Sequence, residues 1–431
     1  MLEIIKQKLI TLAEMAHRKI FGEEMSEEMR NFLGHLSWSF FGIALSSLVL
    51  FTINILAGRI FGPEGYGKYN LVLVYANIIT MLILLGLDTV SIKYIADSKN
   101  DESIKKHLSN SLWIVLFMSL VFFIFGILVW SWMDNSIGIN RNILLISILF
   151  GILLSLKNIL DSFMRSLRYF KFQSSVKIIE SFVVAFFFLG LVFAINHRSF
   201  EYYIYSLILG SLAVSLLYFF RISNKITTWD YQSFEKTVPY LKATITLIIV
   251  GVIVGSIDKI FIGRFIGFKE LGIYSAYITA TIIFSAQLVL VFDNVFFPMV
   301  SKVEDKSGII KKIDRMVVIL SLPIFAFFFI FSYLILKLFG NQFSINLIYI
   351  GIFSFLAFVQ ISSSFYKNIV YSMHNAYQKF KKYSYIFPLF FLFCYSLAFI
   401  FNFKNLNYVV AVYALYMVLY FILIRLSCKY E

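Results

Sequence analysis

Ionisable residues lie within long apolar segments of this sequence, where a charge is costly and usually serves a function. Asp258 and Lys259 are adjacent, and Lys157 and Asp161 are four residues apart, which would place the second pair on one face of a helix. A lysine can pair with an anionic group, and a buried aspartate can bind a coupling proton or cation. These residue types indicate binding and movement of a charged substrate.

We assign roles to six residues on this basis. Cations in a wet cavity lower the cost of carrying an anionic group through hydrocarbon, so lysines and arginines are the candidates for substrate binding. Carboxylates are the candidates for coupling, because burial beside a changing partner can move their pKa into a useful range. The predicted substrate-binding residues are Lys259, Lys157, Arg59 and Arg264, and the predicted coupling residues are Asp258 and Asp161.

Structural interpretations of these residues stay open. Lys157 and Asp161 could form an internally neutral pair on one helix. Glu180 and Lys177 could anchor a helix end at the membrane interface, as could the two arginines. Asp258 and its neighbouring lysine point about 100° apart on a helix and do not neutralise each other easily, which favours a function for them.

Signatures of enzymes and cofactors are absent from the sequence. The five histidines are scattered without metal-ligand spacing, and neither a nucleophile elbow nor a glycine-lysine-serine phosphate loop occurs. The two cysteines, Cys394 and Cys428, have no pairing or metal spacing. We therefore expect no cofactor, no metal and no direct ATP hydrolysis.

The composition predicts a multi-pass helical membrane protein. Of 431 residues, 60% are hydrophobic and 14% charged, and the mean hydropathy is +0.83. Apolar runs of about 20 residues recur along the whole length, which favours membrane helices over barrel strands. The net charge of +14 fits cytoplasmic loops and anionic lipid headgroups better than nucleic acid.

The apolar runs predict about twelve spans with both termini in the cytoplasm. On the side of the N-terminus lie 28 of the 38 lysines and arginines, against 8 on the other side, and Lys157 and Lys259 lie within spans. The predicted spans are 33–58, 69–92, 108–132, 142–162, 176–195, 202–220, 240–263, 273–298, 316–338, 346–366, 383–401 and 407–425.

The spans form two lobes of six helices. An amphipathic segment over residues 1–30 precedes them, either on the inner membrane surface or packed on cytoplasmic loops. The predicted N-terminal lobe covers residues 31–221 and the C-terminal lobe residues 239–431. Residues 222–238 form a cytoplasmic linker between them.

An internal repeat supports this division. The pattern Gly58-Arg59-x-x-Gly62-x-x-x-x-Gly67-x-Tyr69 recurs with an offset of 205 as Gly263-Arg264-x-x-Gly267-x-x-x-x-Gly272-x-Tyr274, and Asp88 matches Asp293 at the same offset. Six spans separate the copies, so both face the same way, as in transporters that rock one half against the other.

The first copy of the repeat carries a family resemblance. The run from Ala57 to Tyr69, followed by Leu85-Gly86-Leu87, resembles the polysaccharide transporter family, the Wzx-type flippases of lipid-linked oligosaccharides. That family belongs to the multidrug/oligosaccharidyl-lipid/polysaccharide exporter (MOP) superfamily. Gly272-Ile273-Tyr274-Ser275-Ala276 and Phe297-Pro298 extend the resemblance over essentially the full length.

The resemblance implies a two-lobed, alternating-access flippase in the cell membrane. Its implied substrate is a polyprenyl diphosphate or related lipid phosphate carrying a glycan made in the cytoplasm, such as an O-antigen repeat unit. Glycan-assembly enzymes are implied partners, and nucleic acid is not. A drug/cation antiporter or lipid II flippase of the same superfamily, a membrane glycan polymerase or ligase, and a scramblase or scaffold remain alternatives.

Overall fold

The protein is helical wherever its structure is described. A computed structural model describes residues 11, 14, 27–98, 100–136, 141–195, 199–302 and 306–428, and these residues contain no strand. Helices satisfy their own backbone hydrogen bonds, which hydrocarbon cannot do, so long apolar segments fold in this way.

Seven helices of the described residues from 27 onward precede the connection at residues 223–230. The stretch from Glu27 to Leu84 is helical except at Gly62, which has φ 69° and ψ 179° and divides it into α1 (27–61) and α2 (63–84). The others are α3 (Leu87–Asp97), α4 (Asp101–Ser136), α5 (Arg141–Ser166), α6 (Phe170–Ile195) and α7 (Glu201–Ile222).

Eight helices follow that connection. They are α8 (Tyr231–Phe261), α9 (Phe268–Ile278), α10 (Phe284–Lys302), α11 (Ser307–Phe339), α12 (Leu347–Ser372), α13 (His374–Ser384), α14 (Ile386–Ile400) and α15 (Leu406–Ser427). Two π-helical turns, Ile262–Ile266 and Thr279–Ile283, follow α8 and α9 respectively.

These helices confirm the predicted all-helical membrane fold. Among the described residues, ten helical segments are long and apolar enough to cross a membrane, and one of them, Gly42–Leu84, overlaps two predicted spans. The remaining predicted span, 240–263, coincides with α8. The cytoplasmic placement of both termini stays a prediction, and residues 1–26 lie outside the described residues except for Thr11 and Glu14.

The second predicted span is not one continuous helix. It breaks at Leu85 and Gly86, whose φ angles are 46° and 84°, before α3 begins at Leu87. Gly86 adopts this left-handed conformation easily because it has no Cβ, whereas a left-handed leucine is uncommon. The sequence pattern predicts an unbroken span over 69–92 and therefore misses this division.

Two compact units make up the chain, residues 41–264 and residues 265–431 together with 1–40. In the first unit, buried side chains of α4 to α7 such as Leu112, Phe163 and Tyr218 form one core. In the second unit, Phe296 and Ile369 lie in a core built by α10, α11, α12, α13 and α15.

The connection before α8 is attached to α4 of the first unit. Ser109 Oγ accepts a hydrogen bond from the Thr227 backbone N–H at 2.6 Å. Asn110 donates to the Asp230 carbonyl at 2.7 Å and accepts from the Asp230 N–H at 2.9 Å. These bonds explain why α8 clusters with the first unit. The predicted linker 222–238 and lobe boundaries stay predictions.

Candidate functional site

An ion pair joins α5 to α6 inside the first unit. Lys157 on α5 donates a hydrogen bond from Nζ to Oε1 of Glu180 on α6. The lysine side chain is 20% exposed and the glutamate side chain 9%. Both residues lie within segments able to span a membrane. The pair therefore brings opposite charges together in an apolar part of the sequence, with the lysine as the more accessible partner.

Asp161, one turn further along α5, has a different and fuller set of partners. Its carboxylate accepts hydrogen bonds from the Gln173 side chain at 2.8 Å and the Tyr218 hydroxyl at 3.1 Å. Arg165 Nε lies 3.4 Å away and Lys177 Nζ 3.8 Å away. Asp161 is thus satisfied by α6 and α7 as well as by its own helix.

The suggested pairing of Lys157 with Asp161 is therefore wrong. Their spacing does put both on one face of α5, but each side chain reaches a partner of opposite charge on α6. The interpretation of Glu180 as an interface anchor is also wrong, because its side chain is buried against α5. Lys157 thus pairs across the helix packing, whereas Asp161 lies between Arg165 of its own helix and Lys177 of α6.

A tight turn sets this register between α5 and α6. Arg168 has φ 59°, and the Tyr169 N–H donates to the Met164 carbonyl at 2.9 Å, which closes the end of α5. Lys157 lies 11 residues before Arg168 and Glu180 lies 12 residues after it. In antiparallel helices, residues nearly equally far from the turn lie at similar depth, so these two side chains meet.

We call these five charged residues the α5–α6 ionic cluster: Lys157, Asp161, Arg165, Lys177 and Glu180. It contains three cations and two carboxylates. Buried charges are retained only when partners compensate much of their desolvation cost, so the pairs must hold their geometry. The excess of one positive charge makes the cluster suited to an anionic ligand.

Small residues allow the helices around the cluster to approach closely. A Cβ on Gly42 would lie 2.8 Å from the Ser174 Cβ, and Ser46 donates a hydrogen bond to the Lys177 carbonyl at 2.7 Å. A Cβ on Gly210 of α7 would lie 2.5 Å from Val184 Cγ2 on α6. Such contacts of small residues drive helix association in membranes, where the hydrophobic effect does not.

The other predicted pair lies near the end of α8. Asp258 is buried at 4% exposure, whereas Lys259 is partly exposed. Within the described part of the chain, Lys259 has no ion-pair partner. The π-helical turn Ile262–Ile266 follows immediately and ends at Gly267. Unlike the charges of the α5–α6 ionic cluster, Lys259 thus forms no ion pair with the described residues.

The two copies of the repeat share a backbone break. Gly62 and Gly267 occupy the same position and have φ angles of 69° and 146°, which side chains rarely allow. Tyr69 and Tyr274 are both buried, at 3% and 0% exposure. Arg59 and its counterpart in the second copy are exposed. The glycines therefore form the predicted turns, and the arginines lie at the surface.

The second unit contains its own acidic residues, and Asp293 is held by a neighbouring helix. It accepts hydrogen bonds from Lys367 at 2.8 Å, Asn368 at 2.7 Å and Ser364, all on α12. Two neutral donors and a cation thus surround this carboxylate. Its complete pairing indicates a structural role in joining α10 to α12.

Asp314 of α11 is held in the same manner. It accepts from the Tyr366 hydroxyl at 2.7 Å and from Arg425 Nε at 2.9 Å. The arginine also lies over the Tyr366 ring, 5.2 Å from its centre. These contacts join α11, α12 and α15, so we consider this group structural too.

Sequence reasoning misses Gln173 and Tyr218, which hold Asp161, and interprets Glu180 only as an anchor. Gln173 and Tyr218 carry no charge that would draw attention, and Glu180 resembles an anchor in sequence. The symmetric spacing about Arg168 is the signal that could have found Glu180. His107, also unremarkable in sequence, is fully buried and lies 3.1 Å from Ser91 Oγ. Among the described residues no three potential ligands gather for a metal ion.

A comparison with protein families gives one match. The family model described as "Polysaccharide biosynthesis protein" matches residues 55–346, which is more than half of the chain. No curated protein sequence matches the chain.

Solved structures similar to this chain are transporters. An inward-facing multidrug resistance transporter of the MATE family, in the MOP superfamily, is 12% identical, with a TM-score of 0.63 over 89% of this chain and 94% of that one. A MOP superfamily transporter from Pyrococcus furiosus, reported to have a binding pocket of reverse polarity, is 13% identical, with a TM-score of 0.55 over 92% and 95%. The MATE transporter ClbM in complex with Rb⁺ is 13% identical, with a TM-score of 0.52 over 91% of this chain and 94% of that one. At such low identity the likeness shows the fold alone.

Proposed function

Because the chain belongs to the polysaccharide biosynthesis protein family, we propose that it moves a lipid-linked oligosaccharide or polysaccharide repeat unit from the cytoplasmic to the outer leaflet by alternating access. The chain is a multi-pass membrane protein with the MOP transporter fold, and its family and fold relatives are transporters rather than enzymes. The plasma membrane is the usual location of such proteins.

The family match over residues 55–346 is the observation that carries this proposal. A polyprenyl diphosphate headgroup is anionic, and its passage through hydrocarbon requires cations that compensate its charge. Lys157 in the α5–α6 ionic cluster and Lys259 at the end of α8 are cations of this kind, and Arg59 and Arg264 are exposed cations. Their charge supports an anionic substrate, and the proposal includes glycan-assembly enzymes and anionic lipids as partners.

Reconstitution in vesicles tests the proposal. A labelled lipid-linked oligosaccharide is placed in the inner leaflet, and an impermeant glycosidase outside cleaves only the glycan that has crossed. We expect translocation by the unaltered protein, and a loss of about tenfold or more in Lys259→Ala and Asp258→Asn, since a removed charge contact of about 1.4 kcal/mol is a factor of ten.

Lys269→Ala is the matched control, because Lys269 is exposed and outside the assigned residues. Unchanged translocation in both altered proteins contradicts the assignment of these two residues. Absence of translocation by the unaltered protein contradicts the flippase function itself.

A second candidate is drug/cation antiport, which the MATE fold of the solved relatives favours. An antiporter would bind an organic cation, and carboxylates such as Asp258 would then be the binding groups. Uptake of a cationic dye against an imposed proton or sodium gradient, without movement of the oligosaccharide, would favour this candidate over the flippase.

A further inference from the structure

We propose that Glu180 is the resident counter-ion of a phosphate-binding site at Lys157, and that an anionic headgroup displaces it while the freed carboxyl group takes up one proton. This inference rests on the proposed function, because it concerns a cation assigned to the same substrate. It assigns a role to a residue that the sequence analysis regarded as an anchor.

The two carboxylates of the α5–α6 ionic cluster are unequally held. Asp161 has two hydrogen-bond donors and two cations around it, on α5, α6 and α7. Glu180 is bound by Lys157, and the described residues offer it no second ion pair. Loss of one partner therefore leaves Asp161 compensated but leaves Glu180 without a cation among the described residues. The sequence predicts Asp161 as a coupling residue, but this difference makes Glu180 the group that we expect to take up the proton.

Lys157 is the more exposed member of the pair, and we assign the ligand contact to it. Its side chain is 20% exposed, about twice the exposed fraction of the glutamate side chain at 9%. An ammonium group has three N–H donors, and Glu180 Oε1 accepts one of them. A phosphate offers several charged oxygens and would compete well for such a group, because charge-assisted hydrogen bonds are the strong ones.

The surroundings of Glu180 favour a neutral carboxyl group once the lysine is engaged. On α7, a Cβ at Gly210 would lie 3.6 Å from Glu180 Cγ, so the glutamate stem lies directly against that helix. An ionised carboxylate buried without a cation is strongly disfavoured, and protonation relieves the cost.

The other charged and titratable described groups near this site are already engaged. On α5 and α6, Arg165 and Lys177 lie beside Asp161, and on α7 the Tyr218 hydroxyl donates to Asp161. None of them is paired with Glu180. A proton from water is thus the available compensation.

The charge balance of the exchange is simple. Before binding, one ammonium and one carboxylate neutralise each other. After binding, the ammonium pairs with a phosphate oxygen, and the carboxylate plus one proton from solvent becomes a neutral carboxylic acid. No covalent bond to the headgroup is made or broken. The affinity for the headgroup should therefore fall as the pH rises, by about tenfold per pH unit wherever one full proton is taken up.

The experiment measures binding and proton uptake together, on the full chain in detergent. The probe is farnesyl diphosphate, a short polyprenyl diphosphate, with farnesol as its uncharged control. A pH-indicator dye in weakly buffered solution counts protons, and calorimetry gives Kd. For the unaltered protein we expect binding of the diphosphate but not of farnesol, with about one proton taken up for each molecule bound.

Glu180→Gln is the critical variant, since it removes the competing charge and the acceptor of the proton. We expect this variant to bind the diphosphate about tenfold more tightly and to lose the proton uptake. Comparison of the two proteins also corrects for any proton that the probe itself exchanges. Glu64→Gln is the matched control, because Glu64 forms an exposed pair with Lys68, and it should leave both quantities unchanged.

Lys157→Gln should abolish binding. Because this variant leaves a buried carboxylate without a cation, the double variant Lys157→Gln/Glu180→Gln is measured beside it, and it should also fail to bind while keeping the thermal stability of the unaltered protein. These two variants separate loss of the ligand from loss of the fold.

The outcomes distinguish this inference from the function on which it rests. If the unaltered protein binds the diphosphate but Glu180→Gln neither tightens binding nor reduces proton uptake, the counter-ion role is refuted and the flippase function stands. If the diphosphate does not bind to the unaltered protein, the phosphate site at Lys157 is refuted, and the flippase function is decided separately by translocation in vesicles. Binding that survives in the double variant overturns Lys157 as the phosphate site.

Discussion

The ion pair between Lys157 and Glu180 should couple the two side chains energetically, and a double-mutant cycle measures this. Removing one partner of a fully buried pair costs about 3–5 kcal/mol. Lys157 is 20% exposed, which reduces the cost. We expect Lys157→Gln to lower the free energy of unfolding by ~2 kcal/mol, because the carboxylate left behind is the more buried group.

The opposite substitution should cost less. Glu180→Gln leaves a lysine that water can partly solvate, and a glutamine side chain can still accept its hydrogen bond, so we expect a loss of ~1 kcal/mol. The double variant Lys157→Gln/Glu180→Gln carries no buried charge and should lie within ~1 kcal/mol of the unaltered protein. The coupling energy of the pair is then ~2–3 kcal/mol, above what polar pairs in membrane helices usually give.

Unfolding by denaturing detergent in mixed micelles, followed by circular dichroism, gives these free energies. The pair of Lys68 and Glu64 is the control, because its side chains are 31% and 65% exposed and four residues apart on one helix. That pair should couple by only ~0.3 kcal/mol. If the coupling of Lys157 with Glu180 is no larger than this control, the argument from burial is refuted.

Three further predictions test other features. Gly210→Val should lower the free energy of unfolding by ~1–3 kcal/mol, because its Cβ would lie 2.5 Å from Val184 Cγ2. Gly190→Val should have a much smaller effect, because a Cβ there would meet no atom of another part of the chain within 4 Å. Gly267→Ala should cost ~1–2 kcal/mol in the same unfolding assay, because φ 146° is strained for alanine; a neutral result would contradict the backbone assignment. Burial raises the pKa of the Cys428 thiol to about 12, so intact-mass analysis should show no maleimide labelling of it at pH 7.5 until the protein is unfolded, and rapid labelling of the folded protein would contradict its burial.

Much of the fold follows from the sequence, because the membrane imposes one simple rule. Apolar runs of about 20 residues must become helices, and the repeated glycines mark where the helices turn. Gly62 and Gly267 do break the backbone at equivalent positions. The break at Leu85 was not predicted, because a lone Gly86 within an apolar run does not by itself distinguish a bend from a continuous helix.

The candidate site was predicted by residue type but not by partner. A lysine and an aspartate four residues apart suggested a neutral pair on one helix. Instead, Lys157 pairs with α6, and Asp161 has partners on α6 and α7 besides Arg165 of its own helix. Side-chain partners between helices depend on the turn length and rotation of each helix, which hydropathy does not encode. The nearly equal spacing of Lys157 and Glu180 from Arg168 does indicate that these two side chains pair, provided that the turn is known to be tight.

The repeat also explains why Lys259 differs from its counterpart in the first half. The offset of 205 matches it to Asn54, which accepts a hydrogen bond from the Tyr66 hydroxyl at 2.7 Å and donates to the Tyr69 hydroxyl at 3.2 Å. Asn54 thereby joins α1 to α2. In the second half Leu271 replaces Tyr66, so the hydroxyl that donates to the asparagine has no counterpart there.

Lys259 replaces the amide that joins two helices in the first half, and the hydroxyl that donates to that amide is also absent. The lysine is therefore not required for packing of its helix pair. Maintaining an ammonium within an apolar span costs free energy, and no ion pair with the described residues offsets it at Lys259. We predict that water or an anionic ligand provides this compensation. We therefore predict different roles at this equivalent position: Asn54 joins two helices in the first copy, and Lys259 offers a cation to a ligand in the second.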